Sequence, residues 1–349
     1  MQPNLFQCAT KELTQDGFLT WLLLWADPQN QQNDKNLHEA ACTFVKFLIQ
    51  KQTQAPDAIT AITAGKKGVL PQGDKLPDVD VWALVNNKFL IIIEDKTATG
   101  PHSNQLARYK EQAEKICREN NYTPVFIYLK TGPVSRIDLL SIEKKEGYAT
   151  VVRAELLQLW AKNTVKNSIF TDFYQYLARL EAEEKLYETL PIKDWTGTQW
   201  IGFYKFLETQ IPQETAGWNY VANPKGGFWG YWFTLHAVKD YEVYLQIEEN
   251  ALCFKLYDAT KAGQEHFYQA LMQLKEQYGL PEIQKPQRMR CGTTATAALI
   301  PNWLGDADKP LNQAQALAKI QKCIHLVASV YKCRPKRYLT QPLKTFAKK

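Results

Sequence analysis

Residues 76–96 read LPDVDVWALVNNKFLIIIEDK, and this stretch decides the fold. Apolar and polar residues alternate over 78–85, which predicts a β-strand with two different faces. Residues 88–96 predict a second strand, whose continuous apolar run is typical of a strand covered on both sides. The dipeptide Asn86-Asn87 between them favours a tight turn. The stretch therefore predicts a hairpin of two adjacent strands.

The flanking residues extend this hairpin into a larger sheet. SNQLARYKEQAEKICREN predicts a helix from about 103 to 120, and TPVFIYLKT, residues 123–131, predicts another strand. A helix between two strands is typical of a crossover that makes the strands parallel. Further helices are predicted at 11–25, at 36–51 and over most of 150–185. We therefore expect an α/β fold with a mixed sheet flanked by helices.

The length of the hairpin loop decides which acidic side chains meet. Side chains alternate between faces, so Asp80 lies on one face of its strand, and Glu94 and Lys96 share one face of theirs. A two-residue loop puts Glu94 on the wrong face for Asp80. A three-residue loop, residues 86–88, pairs Val85 with Phe89 and puts Asp80 opposite Glu94. The sequence allows both registers.

In the second register, two carboxylates and an ammonium converge on one spot. Mg²⁺ prefers oxygen ligands and needs only one or two carboxylates together with water. A bound metal lowers the pKa of a water and offsets charge on phosphoryl oxygens. Lys96 would orient that water or stabilise the charge that develops in the transition state. This pattern predicts a metal-dependent hydrolytic site.

These motifs resemble those of the PD-(D/E)XK nuclease superfamily. LPDVDVWALV and FLIIIEDKTA are similar to its two signature strands, and QLARY, residues 105–109, is similar to the QxxxY element of its RecB-like branch. KELTQDGFLTWLLLWADP and HEAACTFVKFL resemble the N-terminal helices of a large uncharacterised family of nuclease-like proteins. The resemblance covers residues 10–130. It implies a restriction-endonuclease-like fold with a central four-stranded mixed sheet and Mg²⁺- or Mn²⁺-dependent phosphodiester cleavage.

The resemblance assigns roles to particular residues. It implies that Asp80 and Glu94 bind the metal, with the main-chain carbonyl of Asp95 as a further ligand, and that Lys96 is the lysine of the motif. It also implies that Gln105 and Tyr109, one helical turn apart, face the site or the scissile phosphate.

Two positions keep an alternative open. Asp78 also fits the first acid of the motif, although Asp80 lies deeper in the strand. Many members add a glutamate from an early helix, for which Glu39 is the candidate and Glu12 the reserve. Glu39 falls opposite the apolar face of its predicted helix, which favours a solvated residue.

The second half of the chain differs in pattern. The change occurs near Pro191 and a Thr-Gly-Thr cluster, so we expect domains at 1–190 and 191–349. DYEVYLQIEE and ALCFKLYD alternate like antiparallel strands, and helices are predicted at 260–278 and 311–330. Aromatic residues crowd 218–233, where they either form a core or stack on bases. Continuity with the strands favours the core, and an α+β domain.

The distribution of charge along the chain suggests the kind of partner that the protein binds. The net charge is +6, but the segment from Gln287 onward holds twelve Lys/Arg and two Asp/Glu. Such a basic end suggests a polyanion. The best phosphate contacts there are the basic residues Arg288, Arg290, Lys332, Arg334, Lys336 and Arg337.

The cysteines and the hydropathy indicate an intracellular setting. The seven cysteines are scattered and form no CxxC pair, which argues against zinc and disulfides and favours a reducing cytoplasm. No apolar run is long enough to predict a membrane span, and the N-terminus does not resemble a signal peptide.

The sequence as a whole predicts a metal-dependent DNA endonuclease, with a C-terminal domain that binds nucleic acid or senses a ligand. The alternatives are a nucleic-acid-binding module that keeps the nuclease fold without cleaving, and a nuclease effector gated by a ligand. The sequence leaves open the choice of DNA or RNA, endonuclease or exonuclease, and monomer or homodimer.

Overall fold

A computed structural model describes residues 4–100, 104–211, 215–223, 226–238, 241–289 and 292–331. The chain forms two compact units, one of Met1–Val134 with Asp138–Ala182 and one of Ser135–Ile137 with Glu183–Lys349. The division at 182/183 falls within a continuous helix, whereas the boundary expected from the sequence lies at 190, after that helix has ended.

A five-stranded mixed sheet forms the centre of the first unit, in the order β1-β2-β3-β4-β5. Its strands are β1 (Ile62–Gly65), β2 (Val81–Val85), β3 (Phe89–Lys96), β4 (Thr123–Lys130) and β5 (Ala149–Val152). The pairs β1–β2 and β2–β3 are antiparallel, and the pairs β3–β4 and β4–β5 are parallel. The expected α/β class and mixed sheet are confirmed, but the sheet has five strands instead of four.

Helices cover both faces of this sheet. They are α1 (Leu5–Cys8), α2 (Glu12–Trp25), α3 (Lys35–Gln50), α4 (Gln105–Asn120), α5 (Arg136–Ser141), α6 (Arg153–Trp160) and α7 (Ser168–Lys185), with a π-helical turn at Ile142–Glu146. Odd-numbered β3 residues such as Ile91 and Ile93 belong to one core with α2 and α3. Leu90 and Ile92 belong to another with α4. Coverage on both sides explains the continuous apolar run of β3.

The turn between β2 and β3 has the three-residue form. Val85 pairs with Phe89, and Val81 pairs with Ile93. Asn86 and Asn87 both take left-handed backbone conformations, with φ of 53° and 47°, which asparagine tolerates better than most residues. Of the two registers that the sequence allows, the structure has the one that places Asp80 beside Glu94.

The Asn86 side chain fixes this turn. Its Oδ1 accepts hydrogen bonds from the main-chain N–H groups of Thr60 and Ala61, and its Nδ2 donates to the carbonyl of Ala58. We expect Asn86→Ala to lower the free energy of unfolding by about 2–3 kcal/mol, because it loses these bonds and strains the backbone.

Asn87→Ala is the matched control for this prediction. Asn87 has the same backbone conformation, but its side chain has no hydrogen bond within the described part of the chain. A cost of only about 1 kcal/mol is expected there, from backbone strain alone. Urea unfolding of both variants would measure the difference, and equal costs would contradict a role for the Asn86 side chain.

The second unit contains an antiparallel five-stranded sheet in the order β10-β9-β8-β7-β6. Its strands are β6 (Gly217–Asn223), β7 (Gly226–Val238), β8 (Tyr241–Glu248), β9 (Ala251–Tyr257) and β10 (Thr294–Pro301). The helices α8 (Gly197–Gln210), α9 (Lys261–Leu274) and α10 (Gln313–Val330) contribute to its core. The expected second α+β domain is confirmed.

The aromatic stretch at 218–233 lies mainly in this core. Trp218, Tyr231 and Phe233 are buried and pack with residues of α8. Tyr220 on β6 is instead half exposed. Packing therefore accounts for the three buried rings, in agreement with the interpretation favoured by the sequence.

Candidate active site

The ammonium group of Lys96 lies at the centre of a cluster of oxygen atoms. Its Nζ is 2.6 Å from Glu94 Oε1, 3.0 Å from Asp80 Oδ2 and 3.1 Å from Glu12 Oε1. It also donates to the main-chain carbonyl of Asp95, at 2.8 Å. Only 5% of the Lys96 side chain is exposed. The ends of two strands and the start of α2 thus bring three carboxylates to one buried cation.

The register of β2 and β3 brings Asp80 and Glu94 together. Asp80 immediately precedes β2, whose first residue pairs with Ile93, so Asp80 reaches the end of β3. There its Oδ2 accepts a hydrogen bond of 3.0 Å from the main-chain N–H of Asp95. Since Asp80 Oδ2 and Glu94 Oε1 lie 3.0 and 2.6 Å from the same nitrogen, they are at most 5.6 Å apart.

Burial sets the charge states of Glu94 and Lys96. Desolvation, followed by the charge of Asp80, raises the pKa of Glu94 to about 7, although the Lys96 ammonium opposes this shift. Desolvation also disfavours the charge on Lys96, but Glu94 and Asp80 outweigh it and raise the pKa of the ammonium. Lys96 therefore stays charged at neutral pH, while Glu94 is harder to ionise than an ordinary glutamate.

The Asp95 side chain points to the opposite face of β3 and is fully buried. Its Oδ1 accepts a hydrogen bond from Gln15 Nε2 at 2.5 Å, and Gln15 Oε1 accepts one from Thr131 Oγ1 at 2.7 Å. Desolvation, with the charge of Asp16 adding to it, raises the pKa of Asp95 well above its usual range. The Asp95 side chain thus holds the end of β3 in place, while its main-chain N–H and carbonyl bond to Asp80 and Lys96.

The segment after β3 is held close to the end of β4. Lys130 is buried, and its Nζ donates to the main-chain carbonyls of Thr97 and Thr99, at 2.8 and 2.6 Å. Burial lowers the pKa of Lys130 to about 8. Gly132 lies so close to the Thr97 carbonyl that a Cβ atom would overlap it. Thr97 also donates its N–H to Glu12 Oε2, at 3.3 Å, so this packing supports the site.

Gly132→Ala should disturb both the fold and the site. The added methyl group must displace the Thr97 carbonyl, so we expect a loss of about 1–3 kcal/mol in the free energy of unfolding. Gly17→Ala is the matched control, because a Cβ at this position in α2 meets open space. It should stabilise the protein by about 0.5–1 kcal/mol. Thermal unfolding of the two variants should therefore show shifts of opposite sign.

Gln105 and Tyr109 lie at the start of α4. Gln105 Nε2 donates to Tyr109 Oη at 3.4 Å. Tyr109 is buried in the core cluster that includes Leu90 and Ile92, on the face of the sheet that carries Glu94. The structure thus places both residues on that side of β3.

The structure does not bring Asp78 or Glu39 into the cluster. Asp78 is 78% exposed, and its Oδ1 lies 4.0 Å from Lys67 Nζ. Glu39 is 60% exposed, pairs with Lys35 at 3.9 Å and lines a separate pocket beside Trp160. Glu12, the reserve candidate, instead lies 3.1 Å from Lys96 Nζ, and its role as the early-helix glutamate stays a prediction.

Of the six basic residues expected to contact phosphates, the structure describes only Arg288. Arg288 is exposed. Arg290, Lys332, Arg334, Lys336 and Arg337 lie outside the described residues. Their role in binding nucleic acid stays a prediction.

The chemistry of the cluster fits a hard divalent cation. All its donors are oxygens, and Glu94 Oε2 is buried without a hydrogen-bond donor in the described part of the chain. Within that same part, no group of three or more acidic, histidine or cysteine side chains is already spaced to hold a metal. The carboxylates converge on the Lys96 ammonium, which is the counter-cation in this structure.

A family model described as the PD-(D/E)XK nuclease superfamily matches residues 3–188, more than half of the 349-residue chain. The chain belongs to this superfamily. No curated protein and no solved structure matches it. The resemblance drawn from the sequence is confirmed at the level of the superfamily, and its placement in the RecB-like branch stays a prediction.

The helices give no evidence of a membrane segment. Among the described residues, none is both long and apolar enough to cross a bilayer.

Proposed function

We propose that this protein is a Mg²⁺- or Mn²⁺-dependent nuclease that hydrolyses phosphodiester bonds in DNA as an endonuclease. One observation carries the proposal. The carboxylates of Asp80, Glu94 and Glu12 and the carbonyl of Asp95 meet around the Lys96 ammonium, at the motif that defines the superfamily. Membership of a nuclease superfamily supports the same activity.

Asp80 and Glu94 would hold the metal, with the main-chain carbonyl of Asp95 as a further ligand. When bound, a divalent cation activates water and offsets negative charge on the phosphoryl oxygens. The burial of Glu94 excludes bulk water from one side of the site, which strengthens electrostatic interactions there.

Lys96 provides a fixed positive charge next to the reacting phosphate. Its position is set by four oxygen atoms, so little reorganisation is needed when negative charge develops. Gln105 and Tyr109, on the α4 side of the sheet, would orient the scissile phosphate, as proposed for a RecB-like member. Glu12 would position Lys96 and Thr97 from the first turn of α2.

A nuclease assay tests the proposal directly. Plasmid, linear duplex and single-stranded DNA, and RNA, would be incubated with Mg²⁺, Mn²⁺ or EDTA. We expect cleavage of DNA with either metal, its loss in EDTA, and a loss of roughly 10³-fold in Asp80→Asn. Asp57→Asn, which alters an exposed acid outside the site, is the matched control.

Several outcomes would contradict the proposal. Equal cleavage by wild type and Asp80→Asn would remove Asp80 from the site. Cleavage of RNA alone would overturn the choice of DNA. Binding of DNA without cleavage in any metal would favour a non-cleaving nucleic-acid-binding module.

A further inference from the structure

A second feature of the first unit is a cleft of about 600 Å³ between the segment that leads into β2 and the outer face of α4. One wall consists of residues 74–78. The other consists of α4 side chains from Arg108 to Glu119, which extend over about 16 Å of the helix. The cleft is therefore long enough for several successive nucleotides of one strand.

Two residues of the cleft connect it with the candidate active site. Tyr109 lines it and also packs in the core cluster that contains Ile92, two residues before Glu94. Asp78 lines the opposite wall, two residues before Asp80. A strand whose cleaved bond lies at Lys96 would thus have neighbouring nucleotides within reach of the cleft.

The charged side chains of the cleft differ in whether they already have a hydrogen-bond or ion-pair partner. Asp74 Oδ2 accepts hydrogen bonds from Asn120 at 2.8 Å and from Gln72 at 3.1 Å. Glu119 pairs with Lys115, at 3.9 Å. Asp78, the third acidic residue of the lining, lies 4.0 Å from Lys67 Nζ. Each acid of the cleft thus already has a partner.

Arg108 and Lys75 remain for a ligand. Both side chains are exposed, and in the described part of the chain no carboxylate forms an ion pair with either. An unpaired guanidinium in a cleft is suited to bidentate binding of a phosphate. The wall of the cleft therefore offers two free cations to an anion.

The lining also suits the rest of a nucleotide. The Arg108 guanidinium lies 5.3 Å from the centre of the Tyr109 ring, which keeps its plane near an aromatic surface. Leu76 and Ile116 give the cleft an apolar part. Phosphate-binding cations beside aromatic and apolar surface are typical of grooves that follow a nucleic-acid strand.

We infer that this cleft binds the substrate strand next to the cleaved bond, with Arg108 and Lys75 contacting its non-scissile phosphates. The inference rests on the proposed nuclease function. It assigns to the cleft the affinity for the strand, and leaves the chemical step to the cluster around Lys96.

The test separates binding from cleavage. Binding of a fluorescein-labelled DNA oligonucleotide would be measured by anisotropy in EDTA, which keeps the strand intact, over a range of NaCl concentrations. We expect Arg108→Gln and Lys75→Gln each to weaken binding about 5- to 20-fold. Each should also reduce the slope of log Kd against log salt concentration by about 0.7–0.9, the contribution of one phosphate contact.

Arg118→Gln is the matched control on the same helix, because Arg118 is exposed, pairs with Glu114 and does not line the cleft. It should leave both Kd and the salt slope unchanged. Cleavage of the same oligonucleotide in Mg²⁺ would then show a raised KM and an unchanged kcat for Arg108→Gln.

The outcomes distinguish this inference from the function on which it rests. If wild type cleaves and Arg108→Gln and Lys75→Gln match it in Kd and salt slope, the cleft is wrong and the nuclease stands. If wild type binds without cleaving and both variants lose affinity, the cleft stands and the nuclease falls. A fall in kcat with unchanged KM would also overturn the role in binding.

Discussion

Lys96→Met is expected to slow cleavage roughly 10³-fold and to lower the free energy of unfolding by about 3 kcal/mol. The side chain is only 5% exposed and pairs with Glu94, Asp80 and Glu12. Its removal leaves buried carboxylates without their cation, and breaking a buried ion pair on one side is costly. Lys193→Met removes an exposed ion pair with Asp308, which water screens, so its stability should stay close to that of wild type.

Metal should partly restore the stability of Lys96→Met. If the ammonium and the metal balance the same carboxylates, Mg²⁺ should bind the variant more tightly and raise its Tm more than that of wild type. Thermal unfolding of wild type, Lys96→Met and the control Lys193→Met, with and without Mg²⁺, would measure this shift in Tm. A Tm shift no larger than that of wild type would show that the carboxylates around Lys96 are not the metal ligands.

The central hairpin could be predicted because the hydrophobic patterns of its two strands match their burial in the sheet. The alternation over 78–85 and the apolar run over 88–96 correspond to β2 and β3, with ends that differ by a few residues. The register could not be predicted. It depends on Asn86, whose side chain bonds to Thr60 and Ala61, far away in sequence.

In the sheet of the first unit, the two strands that the sequence pattern did not predict are short and lie at the edges of that sheet. Both β1 and β5 have four residues. β1 lies in a turn-rich stretch, and β5 directly precedes α6, so each lacks a periodic pattern of its own. Pairing with β2 and β4 makes them strands, and a tertiary contact of this kind leaves little trace in local sequence.

The site could be predicted as a motif, but its support from α2 could not. Glu12, Gln15 and Asp16 lie at spacings that put them on one helical face. Gln15 and Asp16 are buried there, which is unusual for polar residues in a helix that otherwise buries apolar ones. The polar group at the start of an apolar helix was the available signal.

Glu12→Gln is expected to reduce cleavage by about 10- to 100-fold with little change in stability. Glutamine keeps the length of the side chain. Its single carbonyl oxygen can accept only one of the two hydrogen bonds that the two carboxylate oxygens of Glu12 now accept, from Lys96 Nζ at 3.1 Å and from the Thr97 N–H at 3.3 Å. It loses the negative charge that the cluster presents to a metal. The rate should therefore recover in part at higher Mg²⁺, whereas a variant that merely unfolded would not recover.

Glu39→Gln is the matched control, because it makes the same change at the other early-helix glutamate. Glu39 is 60% exposed and pairs only loosely with Lys35, at 3.9 Å, so its charge is screened by water. Initial cleavage rates across a Mg²⁺ titration should match wild type for Glu39→Gln and shift to higher Mg²⁺ for Glu12→Gln. The reverse result would return the role to Glu39, and would mean that Glu12 binds Lys96 only to support the fold.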